Sequence, residues 1–449
     1  MDDTSNTQST PVAPAPVTLG QAVVYWLKLG FISFGGPAGQ IAIMHHDLVE
    51  KKRWISEKRF LHALNYCMVL PGPEAQQLAT YIGWLMHHTW GGIIAGGLFV
   101  LPSFFILLGL AWVYMAYGSV PVVAGVFYGI KPAVVAIVLF AAWRIGSRTL
   151  KNPLLWAIAA LAFFAIFALK LAFPVIVLAA GMLGYIGGHT FPSYFKSGGG
   201  HGKTSKHFGP AIIDDDTPTP VHALFSWRRL VHVAVVGVMF WVAAMTALVD
   251  HYGWLGAFTQ MGWFFSKAAL LTFGGAYAVL PYVYQGAVEY YHWLTPIQMI
   301  DGLALGETTP GPLIMVITFV GFVGGWSQQG LGADAVLASA FAAATVVTFF
   351  TFLPSFVFIF LGGPFIETTH GNLKLTAPLT AVTAAVVGVI VNLAVFFAGH
   401  VFWPGAVAVD WFALVLTAVA MLAIFRFRVG VIPIILGCGV LGMCWKFLV

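Results

Sequence analysis

Apolar runs long enough to cross hydrocarbon follow one another from residue 18 to the end of the chain, separated by short polar turns and interrupted from within by glycine and proline. A helix needs about 20 apolar residues to cross a bilayer core of about 30 Å. On that measure residues 18–49, 61–88, 91–117, 119–143, 153–171 and 173–190 predict six segments, and the pattern returns six more times after residue 250. The first two segments are broken, at Phe34-Gly35-Gly36-Pro37 and at Pro71-Gly72-Pro73. Around them, residues 1–17 read as a disordered polar tail and 18–191 as a first half. Residues 192–227, rich in Gly and His, read as a cytoplasmic linker, 228–250 as one extra transmembrane helix and 251–449 as a second half.

The two halves are versions of each other. Residues 28–73 align without a gap on 267–312, with Lys28/Lys267, Phe34/Phe273, Gly35/Gly274, Gly36/Gly275, Trp54/Trp293, Pro71/Pro310, Gly72/Gly311 and Pro73/Pro312 among the identities. Further on, Leu101-Pro102-Ser103-Phe104 and Ala133-Val134-Val135 recur at Leu353-Pro354-Ser355-Phe356 and Ala385-Val386-Val387. Duplicated halves with matching helix breaks point to a transporter.

One unduplicated crossing between two copies turns the second copy over, and basic loops test this because Lys and Arg accumulate on the cytoplasmic side. The loop with Lys51, Lys52, Arg53, Lys58 and Arg59 and the loop with Arg144, Arg148 and Lys151 are basic, whereas their counterparts near Trp293 and at 398–410 carry no Lys or Arg. Near Lys170 the bias reverses towards Arg426 and Arg428. The expected fold is an all-α polytopic membrane protein whose halves form an inverted-topology repeat with broken, re-entrant helices. Re-entry of the four broken segments leaves nine full crossings, a cytoplasmic N-terminus and a periplasmic C-terminus.

Composition narrows the chemistry. The 449 residues are 59% hydrophobic and 8% charged, with a mean hydropathy of +0.89, so no soluble domain is visible. The net charge of +5 reads as loop bias, and no basic face suits nucleic acid. Cys67, Cys438 and Cys444 lack metal or redox spacing. No cofactor motif, P-loop or nucleophile elbow occurs, so neither an enzyme nor an ATP-driven pump is expected.

The runs Ser33-Phe34-Gly35-Gly36-Pro37, Pro71-Gly72-Pro73-Glu74, Leu101-Pro102-Ser103-Phe104 and Lys131-Pro132-Ala133-Val134-Val135 resemble the signature of the chromate ion transporter family in its long, two-domain form. The resemblance implies a bacterial inner-membrane protein that exports chromate and confers resistance, with sulfate as the look-alike substrate. The second half departs from it, with Ala276 for Pro37, Leu313 for Glu74 and Thr383-Ala384 for Lys131-Pro132.

A tetrahedral dianion sheds water to cross, and backbone N–H groups at helix N-termini can replace that water. Breaks at Gly35-Gly36, Gly274-Gly275, Pro71-Gly72-Pro73 and Pro310-Gly311-Pro312 would create such termini at membrane depth. Lys28 and Lys267 precede the glycine pairs, Ser33 and Thr272 offer hydroxyls, and Asn65, Gln76, Gln77, Thr308 and Thr309 offer neutral donors beside the proline turns. Together these are the expected substrate-binding residues. Lys131, a charge in an apolar segment, is a further candidate for the anion path. Glu74 and Glu307 flank the proline turns and are the expected coupling acids, because a buried carboxyl can carry a proton against an anion. The alternative reading, a divalent metal cation transporter, rests on the 14 histidines, chiefly His45, His46, His87, His88 and the linker's His201, His207 and His222. A membrane-bound sensor or scaffold ranks third. The expected partners are a chromate or sulfate oxyanion and the lipid bilayer, and a homodimer is compatible with all of this.

Overall fold

The computed structural model describes residues 14–195, 208–273, 275–368, 376–406 and 408–448. Gly274, residues 1–13 of the expected tail and residues 196–207 of the expected linker, with His201 and His207, lie outside them. Apart from one isolated bridge between Ile55 and Ile213, the regular structure of the described residues is helical. In hydrocarbon this follows from the backbone, because a helix satisfies its own N–H and C=O groups.

In chain order the helices are α1 (Leu19–Ile32), α2 (Gly36–His45), α3 (Glu57–Cys67), α4 (Glu74–Tyr117), α5 (Pro121–Thr149), α6 (Pro153–Phe167), α7 (Phe173–Thr190), α8 (Trp227–Tyr252), α9 (Ala257–Leu270), α10 (Ala276–Tyr284), α11 (Pro296–Thr308), α12 (Val316–Gln328), α13 (Val336–Thr368), α14 (Thr376–Phe402), α15 (Trp411–Phe427) and α16 (Val431–Leu448). α4 is two legs folded against each other. His87 (φ −135°, ψ 35°) and His88 (φ 58°, ψ −161°) turn the chain, so that Gly83 meets Gly91 and Ala95 while Thr80 meets Gly92 and Gly96. Seven of the described helices are long and apolar enough to span a membrane. Matching N-caps open the matching helices: Ser56 accepts from Arg59 N before α3, and Thr295 accepts from Gln298 N before α11, each closing an otherwise unpaired N–H of the first turn.

The short helices come in pairs that return to the end they left. Arg59 on α3 and Tyr81 on the first leg of α4 both reach Glu367. Tyr25 on α1 packs on Trp54, which follows α2, at 5.0 Å between rings. In the second half, Phe264 and Phe265 on α9 pack on Trp293, which follows α10, while Gly302 and Gly306 on α11 meet Phe319 and Val316 on α12. Four helical hairpins result, α1/α2, α3/α4, α9/α10 and α11/α12.

The two hairpin pairs enter from opposite ends of the molecule. α13, about 50 Å long at 1.5 Å per residue, starts where Ser339 bonds Leu331 N beyond α12 and ends at Glu367, beside the feet of α3 and α4. α8 starts near the same end, with Phe225 on Phe365, and finishes with Tyr252 on Phe258 at the foot of α9. Residues 211–223 run across the first end: Ile213 pairs with Trp54 and Ser56, Ser56 Oγ donates to Asp215 at 2.6 Å, and His222 bonds the Trp84 carbonyl at 2.9 Å. Lys51, Lys52, Arg53, Lys58, Arg59, Arg228 and Arg229 lie at that end. At the α5/α6 turn, Asn152 donates to Tyr194 O beyond α7 at 2.6 Å.

The remaining six helices interlock. α5 packs on α15 and α16, and α14 packs on α6 and α7, so each half completes the other. Glycine makes these crossings close: a Cβ on Gly129 would stand 2.0 Å from Cys438 O, and one on Gly388 would stand 1.9 Å from Ala159 O. In lipid such small-residue contacts hold helices together by dispersion, because burial of apolar surface supplies no drive there.

Candidate functional site

The tips of the four hairpins meet at the centre, and they meet by exchange. Gly72 N, in the first half, donates to Thr272 O at 2.8 Å; Gly311 N, in the second, donates to Ser33 O at 2.7 Å. Gly72 and Gly311 are equivalent in the repeat, and so are Ser33 and Thr272. Contacts that run i to j and j to i mark a two-fold relation. Gly72 (φ 129°) and Gly311 (φ 101°) both hold backbone that favours glycine. Neither has room for a side chain: a Cβ on Gly72 would lie 2.5 Å from Ser355 Oγ, and one on Gly311 would lie 1.8 Å from Ser103 Oγ. Those serines are again equivalents.

The bonds at the tips satisfy five carbonyls and use two backbone amides, those of Gly72 and Gly311. Ser33 O and Thr272 O accept from the glycines, Pro71 O accepts from Gln77 Nε2 at 2.8 Å, Gly311 O accepts from Gln40 Nε2, and Pro310 O accepts from Ser103 Oγ. The first N–H groups of a helix have no partner within it. α2, α4 and α10 all start at the tips, after Gly35 (φ 87°), Pro73 and Gly275 (φ 96°), and α12 starts there through a short turn at Leu313–Met315. Positive helix ends therefore gather where the negative carbonyls have been neutralised. A Cβ placed on Gly36 or Gly275 would meet nothing within 4 Å, so open space lies beside both residues.

Side chains complete the site unevenly. Ser33 Oγ and Ser355 Oγ are buried without a partner, as are Oε1 of Gln40, Gln76 and Gln77. Gln76 Nε2 donates to Thr80 Oγ1 at 3.0 Å. The threonine hydroxyls are engaged in their own helices: Thr272 donates to Ala268 O, Thr308 to Ala304 and Leu305 O, and Thr309 to Leu305 O. Glu74 sits in the first turn of α4, where a carboxylate is favoured. Glu307 ends α11, accepts from Tyr277 OH and feels the charge of Arg144 on α5. The remaining candidates stand apart. Lys28 and Asn65 are exposed, and Lys267 lies 5.4 Å over the Trp263 ring, away from the tips.

Several residues of the site escape a reading of the sequence. Gln40, Tyr114 and Asp301 are among them: Gln40 reaches Gly311, and Tyr114 meets the sequence candidate Lys131 at the buried Asp301 across the halves, and pairings that distant in sequence leave no periodic trace. Asp301 carried one usable signal, an acid inside an apolar segment. Among the described residues no three His, Cys, Asp or Glu side chains group as metal ligands.

Comparison with known proteins agrees with the repeat. The chromate transporter family model matches residues 20–185 and 259–443, one match in each half. The chain belongs to the chromate transporter family. Similar proteins include a chromate transport protein of Cupriavidus metallidurans, 30% identical over 98% of this chain and 96% of its own. One from Pseudomonas aeruginosa is 31% identical over 97% of this chain and 94% of its own. An uncharacterised transporter of Methanocaldococcus jannaschii is 24% identical over 89% and 88%. No solved structure matches significantly. Family and helices together make the transporter a multi-pass membrane protein.

Proposed function

We propose that the transporter carries chromate, and sulfate with it, out across a bacterial inner membrane, holding the dianion at the four hairpin tips. The carrying observation is the exchange of bonds between Gly72 and Thr272 and between Gly311 and Ser33, which occupies carbonyls and leaves helix N-termini facing open space. The dianion accepts from those amides and from the free hydroxyls of Ser33 and Ser355, so its lost hydration is replaced by fixed dipoles. Neutral donors suit a substrate that must also be released. Glu74 or Glu307 is available to bind a proton in exchange.

The halves form an inverted repeat in the membrane. Support comes from the opposite entry of the hairpin pairs, the single crossing of α8 between them and the Lys and Arg residues gathered at the linker end, which is the cytoplasmic end by charge. Residues 18–191 and 251–449 are then the two working halves, joined by the linker and α8. The inside-negative potential drives a dianion outward with about 4.6 kcal/mol per 100 mV, twice the figure for one charge. Export needs no second ion on that account.

Inside-out vesicles loaded on one face with chromate test the reading directly. Uptake that rises with an imposed potential and is inhibited by sulfate supports it. Chromate flux equal to that of empty vesicles, with zinc or nickel tolerance altered in expressing cells, overturns it.

A further inference from the structure

The interlocked helices touch the two hairpin pairs unequally. α10 and α11, from the second half, pack on α5, α7, α14 and α16. The matching surface of the first half stays open: Phe34, Gly35 and Asn65 are exposed and Met68 is 49% exposed, while Ala304, the equivalent of Asn65, is 1% exposed. The seam at the second pair is closed and the seam at the first is not.

One cluster marks the closed seam. Lys131 Nζ on α5 lies 3.9 Å from Asp301 Oδ2 on α11, and Tyr114 OH, on the second leg of α4, donates to the same oxygen at 2.9 Å. Asp301 is 2% exposed, and its Oδ1 has no partner. The equivalent positions in the other half are Thr383, His62 and Ile366, where His62 Nε2 bonds the Ile366 carbonyl at 3.0 Å. No ion pair can form from that set. A gap of 3.9 Å exceeds the 2.7–2.9 Å of a tight charge-assisted bond, and in a buried pair desolvation offsets much of the attraction. Such a pair holds a seam and can still part.

We propose that Lys131, Asp301 and Tyr114 are positioning residues that lock α5 to α11, closing the site at the end away from the linker and leaving it approached from the linker end. During transport the lock parts and the interlocked helices rock from the second hairpin pair onto the first. The inference rests on the transport reading above and is independent of which anion is carried.

The test reads access rather than flux. Thr308→Cys, at the tip of α11, is labelled by a membrane-impermeant thiol reagent in right-side-out and inside-out vesicles, in a Cys444→Ser background because Cys444 is exposed. With the lock intact, labelling proceeds from the linker side. Asp301→Asn and Lys131→Met each speed labelling from the opposite side about tenfold, equivalent to about 1.4 kcal/mol. The charge-swapped chain, Lys131→Asp with Asp301→Lys, returns the original sidedness. Single variants that label like the parent, or faster labelling from both sides that the swap does not reverse, overturn the proposal. Chromate flux is judged separately in vesicles holding the unsubstituted chain, and its absence there would sink the substrate assignment while leaving the labelling result intact.

Discussion

Gly72 and Gly311 make the same bond in opposite directions, one to Thr272 and one to Ser33, yet the side chains behind them share little chemistry. The first half brings Gln40, Gln76 and Gln77 to the tips, with Gln77 against Gly72 and Gln40 against Gly311; the equivalent positions of the second half hold Met315, Val316 and Val279 in place of Gln76, Gln77 and Gln40. The first pair of hairpins is amide-rich and partly open, the second apolar and closed. What the duplication kept is main-chain geometry, which only glycine and proline can write. What it released is the side-chain complement, so that one half can hold polar donors while the other supplies a rigid wall.

The tip glycines give the largest expected effects. Gly311→Ala places a Cβ 1.8 Å from Ser103 Oγ on backbone at φ 101°, so strain and overpacking act together. We expect about 3 kcal/mol of destabilisation and loss of transport. Gly72→Ala meets Ser355 Oγ and Gln77 Nε2 less closely, at 2.5 and 2.6 Å, and Ser355 Oγ has no bond to lose whereas Ser103 Oγ is held by Pro310 O, so it should cost about half as much. Thermal melting in detergent beside vesicle flux checks both. Equal costs would mean that the closed and open halves are packed alike.

The breaks and the basic loops were legible in the sequence because each is local: Gly35-Gly36, Pro71-Gly72-Pro73 and the run Lys51–Arg53 state their physical consequence within a few residues. The hairpin shape was legible from charge, since only hairpins put residues 50–60 on the linker side, where Trp54 and Ser56 meet Ile213 and Asp215. Lys28 and Asn65 were candidates by nearness in sequence alone, and the helix turn carries both to exposed faces. Gln40 and Asp301 were hidden for the converse reason, their partners Gly311 and Lys131 lying in the other half. A gapless repeat aligns equivalents but cannot say which positions touch.

Exchanging the side chains between halves sharpens the contrast. Gln76→Met and Gln77→Val give the first half what the second already has. If the amides serve the anion, KM for chromate rises about tenfold, in keeping with about 1–3 kcal/mol for a hydrogen-bonding group lost from a buried site. Met315→Gln in the second half should leave KM unchanged and lower the melting temperature, because a buried amide without partners is costly. A KM that responds to Met315→Gln and ignores Gln77→Val would invert the assignment.

The two equivalent lysines separate more finely. Lys267 lies over Trp263, so Lys267→Gln loses a cation–π contact of about 0.5–1 kcal/mol. Lys28 is exposed, and Lys28→Gln should shift the melting temperature by less than its twin. Matching shifts would show that Trp263 contributes nothing.

The smallest expected difference lies at the feet of the hairpins, where Glu50 and Glu289 are equivalents with opposite surroundings. His46 and His45, at 2.8 Å and 3.2 Å, hold the Glu50 carboxyl below its usual range. Burial pushes the Glu289 carboxyl up, against the pull of Lys170. A depressed acid binds protons less well folded than unfolded, so its stabilisation is present above the unfolded value and fades as pH falls below about 4.5. A raised acid does the reverse, and folding loses support as pH climbs from about 4.5 through the raised value. Melting curves between pH 3.5 and 7 separate the two. Glu50→Gln should flatten the acid limb and leave the neutral side alone, whereas Glu289→Gln should raise the melting temperature near neutrality and leave the acid limb alone. Identical profiles for both variants would show that the two feet, unlike the tips, are electrostatically the same.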